Sequence, residues 1–123
     1  YSCFSHDVPN AIKNHSMSIM FYKGGEVSEL GRSPTRLAEV LACGIPVVVN
    51  RGVGDVADIV TENHVGIVLD GIDALSISNA IDNLHSLYLS EGIHRRCRDT
   101  AEKIFSLESG IDNYRKAYTG IMK

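Results

Sequence analysis

The stretch "SPTRLAEVLACGIPVVVN", residues 33–50, decides the fold. Its first part reads as a helix over residues 34–44. Pro34 falls in the first helical turn, where a missing N–H costs little. Gly44 follows as a left-handed cap, and Pro46 opens the next element. "IPVVVN" (45–50) is then almost uniformly apolar, as a parallel strand covered on both faces must be. Helix, glycine cap and buried strand in direct succession make one αβ unit.

The same rhythm extends outward. "MSIMFY" (17–22) and "VGIVLD" (65–70) read as two more buried strands, and "YSCFS" (1–5) as the end of a fourth. "VPNAIKNH" (8–15), with Pro9 near its start, and "DVADIVTENH" (55–64) read as helices. The β-α-β-α-β order predicts an α/β fold, a Rossmann-like doubly wound parallel sheet with right-handed crossovers. From Asp73 onward the pattern is purely helical. Ile77, Ala80, Ile81, Leu84, Leu87 and Tyr88 mark one face, and Ile93, Cys97, Ala101, Ile104 and Phe105 another. A last segment carries Ile111, Tyr114, Tyr118 and Ile121 at three- and four-residue spacing. Residues 1–123 thus form one partial domain with a helical tail over 73–123. Two and a half βα units, against about six strands in a complete doubly wound domain, and a first residue that is not methionine suggest a piece of a longer protein.

Composition narrows the function. The chain has 123 residues, 44% hydrophobic and 22% charged, with a net charge of −3. Nothing there supports an electrostatic grip on nucleic acid. The three cysteines, Cys3, Cys43 and Cys97, share no CxxC spacing, so small buried hydrophobes in a reduced, cytoplasmic protein are expected. No apolar run approaches the ~20 residues that span a bilayer. The five histidines show no metal-ligand spacing, and no Ser-His-Asp or paired-carboxylate arrangement emerges.

Ligands of open parallel sheets bind beyond the carboxyl ends of the strands. Three loops occupy that edge: "SHDVP" with His6, "KGGEVSELGRSPT" with Gly31, and "NRGVGD" with Gly52 and Gly54, whose Asp55 can cap the next helix. The second is long and ends where the helix from Pro34 begins. Free N–H groups near Ser33, Pro34 and Thr35, flanked by Arg32 and Arg36, suit a phosphate or diphosphate. Ser33 as an N-cap is the plainer alternative. Glu39 lies one turn further on, beside such an anion. It is either a solvated helix charge or a carboxylate that accepts hydrogen bonds from paired hydroxyls such as a ribose diol.

"SPTRLAEVLACGIPVVVNRGVGDVADIV" (33–60), followed by "HVGIVLD" (64–70), resembles the donor-binding domain of group 1 glycosyltransferases, retaining enzymes of the GT-B fold. "FSLESGIDNYRKAY" (105–118) is similar to that family's closing helix. The resemblance implies a C-terminal domain that holds a nucleotide-diphosphate sugar and an N-terminal domain, upstream of Tyr1, that holds a glycan or lipid acceptor. Glu39 matches the glutamate that binds the ribose hydroxyls. Ser33, Pro34 and Thr35 match the turn facing the diphosphate, Arg36 takes a place usually held by lysine, and "SHDVP" corresponds to the region that cradles the base. The family's further glutamate, eight positions earlier, is Gly31 here; Glu26 and Glu29 lie nearby at the wrong spacing. The implied reaction needs no cofactor and no obligatory metal, and the full enzyme would be cytoplasmic or peripheral at the inner face of a membrane. A nucleotide-sugar epimerase and a non-catalytic Rossmann-like binding module are the alternatives of the same fold. Residues 1–123 alone are not expected to catalyse.

Overall fold

The structure, a computed structural model, describes residues 4–23, 27–31 and 35–122. A 3₁₀ turn at Ser5–Asp7 runs into α1 (Val8–Lys13), followed by β1 (Ser18–Met20) and the short α2 (Val27–Leu30). Then come α3 (Thr35–Ala42), β2 (Val47–Asn50), α4 (Val56–Glu62) and β3 (Gly66–Leu69). Three helices complete the chain: α5 (Ala74–Tyr88), α6 (Ile93–Phe105) and α7 (Leu107–Ile121). The sheet has the order β1-β2-β3 and is parallel throughout, with Met20 opposite Val49 and Val49 opposite Val68. All three strands fall inside the spans read from the sequence.

Why α3 stops where it does follows from its cap. Gly44 takes a φ of 78°, its N–H donates to the Leu41 carbonyl at 2.8 Å, and the Ile45 N–H reaches the Val40 carbonyl at 3.1 Å. That pair of bonds satisfies the last carbonyls and turns the chain into β2. His64 does the same for α4 at a φ of 53°, with Val65 N–H donating to the Val60 carbonyl. A non-glycine residue in this region is uncommon, although histidine is among those that tolerate it.

The two faces of the sheet are covered unequally. Val47 and Val49 pack with Leu37, Val40 and Leu41 of α3, Val56, Ile59 and Val60 of α4, and Ile93 and Cys97 of α6. The other face holds a smaller cluster, Val48 and Leu69 under Ala80, with Ile67 and Leu84 alongside. Ile19 shares that face beside Val48 and is 61% exposed.

Four readings are corrected. Ser5 belongs to a 3₁₀ turn, so "YSCFS" does not end as a strand there; Tyr1, Ser2 and Cys3 lie outside the described residues. The long loop carries a helical turn, α2. Asp55 precedes α4 with φ −96° and ψ 7° and makes no side-chain cap bond. An N-cap needs extended backbone to aim its oxygen at the first N–H groups. Finally, α5 rests on β3 through Ala80 and Leu84, which leaves Ile77, Ile81 and Tyr88 of its expected core face exposed.

Candidate functional site

Three strand ends define the edge where a ligand would bind. There Asn50, buried at the end of β2, accepts a hydrogen bond from the Tyr22 N–H at 2.9 Å and donates to the Tyr22 carbonyl at 2.8 Å. Next to it the Arg51 guanidinium meets the Asp70 carboxylate at 2.5 Å. Gly52 and Gly54, with φ of 90° and 45°, turn the chain from β2 into α4. Positive φ at both positions accounts for those glycines as turn residues.

Helix α3 starts at this edge with Thr35 exposed. Its amphipathic spacing turns Leu37, Val40 and Leu41 to the core, which leaves Arg36 and Glu39 outward. Glu39 is the fifth residue of the helix, one turn in, as the spacing from Thr35 requires. Its carboxylate pairs with the Arg36 guanidinium at 3.2 Å, with the two side chains 51% and 62% exposed. Such a pair is worth about 0–1 kcal/mol in water, so an incoming ligand can displace it at little cost.

The fold brings Glu39 against the chain's first described turn. A cleft of about 360 Å³ is lined by Ser5, Val8, Pro9, Lys13, Glu39 and Cys43, among others. It has an apolar floor, a carboxylate and an ammonium group. Lys13 is a cation that sequence reasoning missed, because nothing in "NAIKNH" distinguishes it from a solvated helix charge. His6 is exposed beside the cleft, stacked on Phe4 at 5.7 Å between ring centroids, with its Nε2 3.4 Å from the Asp7 carboxylate. It does not line the opening; its neighbours Ser5 and Val8 do. Gly31 is exposed, with open space where a side chain would project. Arg32, Ser33 and Pro34, three of the five residues of the expected anion site, lie outside the described residues. Among the described residues no cluster of His, Cys, Asp and Glu could hold a metal ion, and no helix is long and apolar enough to cross a membrane.

No family model and no curated protein matches this sequence. Among solved structures, a sucrose-phosphate synthase from Thermosynechococcus elongatus shares the fold with a TM-score of 0.57 and 22% identity, over 73% of this chain. The match spans 23% of that synthase's length. The three parallel strands, their crossover helices and the helical tail therefore form part of a Rossmann-like domain of the GT-B type. A fold of the GT-B type is the class they define.

Proposed function

We propose that the chain is the donor-binding part of a nucleotide-sugar-dependent glycosyltransferase. The observation that carries this reading is the meeting of Glu39 with the Ser5–Val8 turn around one cleft, on a fold of glycosyltransferase type. Glu39 accepts hydrogen bonds from both ribose hydroxyls, and the base lies along Val8 and Pro9. The diphosphate runs toward the start of α3, where the N–H groups near Thr35, the helix dipole and Arg36 meet the distal phosphate. The same charges then stabilise the departing diphosphate during transfer. The resemblance supports this reading between residues 33 and 70. Gly31 leaves the sugar without the acid that many relatives use, so its recognition falls to other groups. The acceptor, a glycan or a lipid, is held by another domain, and the exposed stripe of α7 faces it. The working place is the cytoplasm, with peripheral attachment to a membrane where the acceptor is lipid.

Calorimetry with UDP, GDP and ADP tests the proposal on the 123-residue chain. Glu39→Gln keeps the shape and removes the charge. It should weaken binding of the preferred nucleotide by about 1.5 kcal/mol, roughly tenfold, the low end for a charged hydrogen bond because the side chain is half exposed. The 2′-deoxy nucleotide should lose a similar amount with wild type and little more with the variant. Additive losses would mean that Glu39 and the ribose do not touch. Absence of binding by all three nucleotides would overturn the donor-site reading.

A further inference from the structure

We propose that Asn50 is the positioning residue of this site, a side-chain splice that sets where the loop over residues 23–34 leaves the sheet. The inference rests on the donor-site reading above. The backbone ladder between β1 and β2 ends at Met20 opposite Val49. Beyond it the Asn50 carboxamide takes the place of a strand partner for Tyr22. Its Oδ1 accepts from the Tyr22 N–H at 2.9 Å, while its Nδ2 donates to the Tyr22 carbonyl at 2.8 Å and to the Arg51 carbonyl at 3.1 Å. Two carbonyls at one end and an N–H at the other leave a single workable orientation for the amide.

The choice of asparagine is informative because the position is 6% exposed, at the end of a strand that is otherwise all valine. An apolar side chain there would pack without the cost of dehydrating an amide. What the amide adds is a two-point grip on Tyr22, the last residue before the loop. On its other side the Arg51 N–H donates to the Leu69 carbonyl at 3.1 Å, and the Arg51 side chain meets Asp70. The carboxyl ends of all three strands are thus tied in a row. The loop's near end is held at Tyr22 and its far end enters α3, which carries Thr35, Arg36 and Glu39. Holding Tyr22 keeps the carboxyl end of β1 beside the turn from β2 into α4, on the edge where the donor site lies.

The test compares Asn50→Leu and Asn50→Ser with Val48→Ala. Val48 is buried on the second face of the sheet and has no bond to Tyr22, so its truncation loosens the fold without touching the splice. Amide hydrogen exchange at Tyr22 and over residues 27–31, and the Kd for UDP, GDP and ADP, are measured while each variant is folded. Both Asn50 variants should exchange Tyr22 at least about tenfold faster and bind the nucleotide about tenfold more weakly, the scale of one to two lost hydrogen bonds. Val48→Ala should keep the wild-type affinity within about twofold. Folded Asn50 variants with wild-type affinity, or an equal loss in Val48→Ala, would overturn the positioning role. If the wild-type chain binds none of UDP, GDP and ADP, the donor-site reading fails and exchange alone decides about Asn50. Faster exchange confined to Tyr22 and the loop in the Asn50 variants supports the splice, and exchange matching Val48→Ala refutes it.

Discussion

At the scale of single residues, two glycines hold the backbone where no other side chain fits equally well. A Cβ on Gly66 would stand 2.1 Å from the Val47 carbonyl oxygen and 2.8 Å from the Val47 side chain, across the β2–β3 ladder. The obstacle is backbone, so Gly66→Ala must push β3 off β2. A loss of at least about 3 kcal/mol is expected, in the range of severe overpacking. Gly44 differs. Its added Cβ would meet the Arg98 guanidinium at 2.8 Å, which can swing away, and the His94 carbonyl at 3.1 Å. There the positive φ dominates, and Gly44→Ala should cost about 1–2 kcal/mol. Urea unfolding of both variants checks the order; an equal loss would mean that β3 can slide without harm. Glu39 and Lys13 illustrate the opposite case, charged residues whose local sequence says only that they are solvated. Their shared cleft arises from the packing of α1 against α3.

At the scale of elements, α6 and α7 are both amphipathic and fare differently. Ile93, Cys97 and Ala101 of α6 are buried against α3 and the sheet, whereas Ile111, Tyr114, Tyr118 and Ile121 of α7 are all exposed. The three- and four-residue spacing told of an apolar face in each. Only the packing distinguishes a face that is covered within these residues from one that is not. Tyr114→Ser combined with Tyr118→Ser should therefore change the chain's stability by no more than about 0.5 kcal/mol per site, the range for exposed positions. A chemical-denaturation midpoint that falls far beyond this would show that α7 folds back on the core. Helix α5 is anchored at its start by Asp73, whose carboxylate accepts from the Leu75 and Ser76 N–H groups at 3.1 and 3.0 Å. The Ser76 N–H and hydroxyl, chiefly, hold that carboxyl below its usual range. This cap is the kind of local signal a sequence shows; which side of α5 would meet the sheet is not.

At the scale of the whole molecule, one core joins the three strands to α3, α4 and α6. Cys97 sits in it, and burial pushes its thiol up to about 11 from 9.0, with Arg96 and Arg98 opposing that rise. The unfolded chain releases this proton near pH 9, while the folded chain holds it until about pH 11. Stability that the neutral thiol contributes is therefore intact below pH 9 and is lost as the pH rises toward 11. Urea unfolding at pH 8 and pH 10 should show the wild type losing stability relative to Cys97→Ala, so that the gap between them narrows. A constant gap would mean that the thiol titrates alike in the folded and the unfolded chain.

By itself the sequence determined the parallel α/β order, the caps at Gly44 and Pro9, and the spacing that sets Glu39 one turn beyond Thr35. These follow from local rules: a 3.6-residue period, a left-handed glycine, and short apolar runs bounded by turn residues. Tertiary structure alone decided which apolar stripes are covered, that Lys13 and Ser5 join Glu39, and that Asn50 grips Tyr22. Those outcomes depend on contacts between residues far apart in the chain, such as Tyr22 with Asn50. A one-dimensional pattern does not carry them, because the partner's position is set by the register of the sheet and the crossing of helices over it.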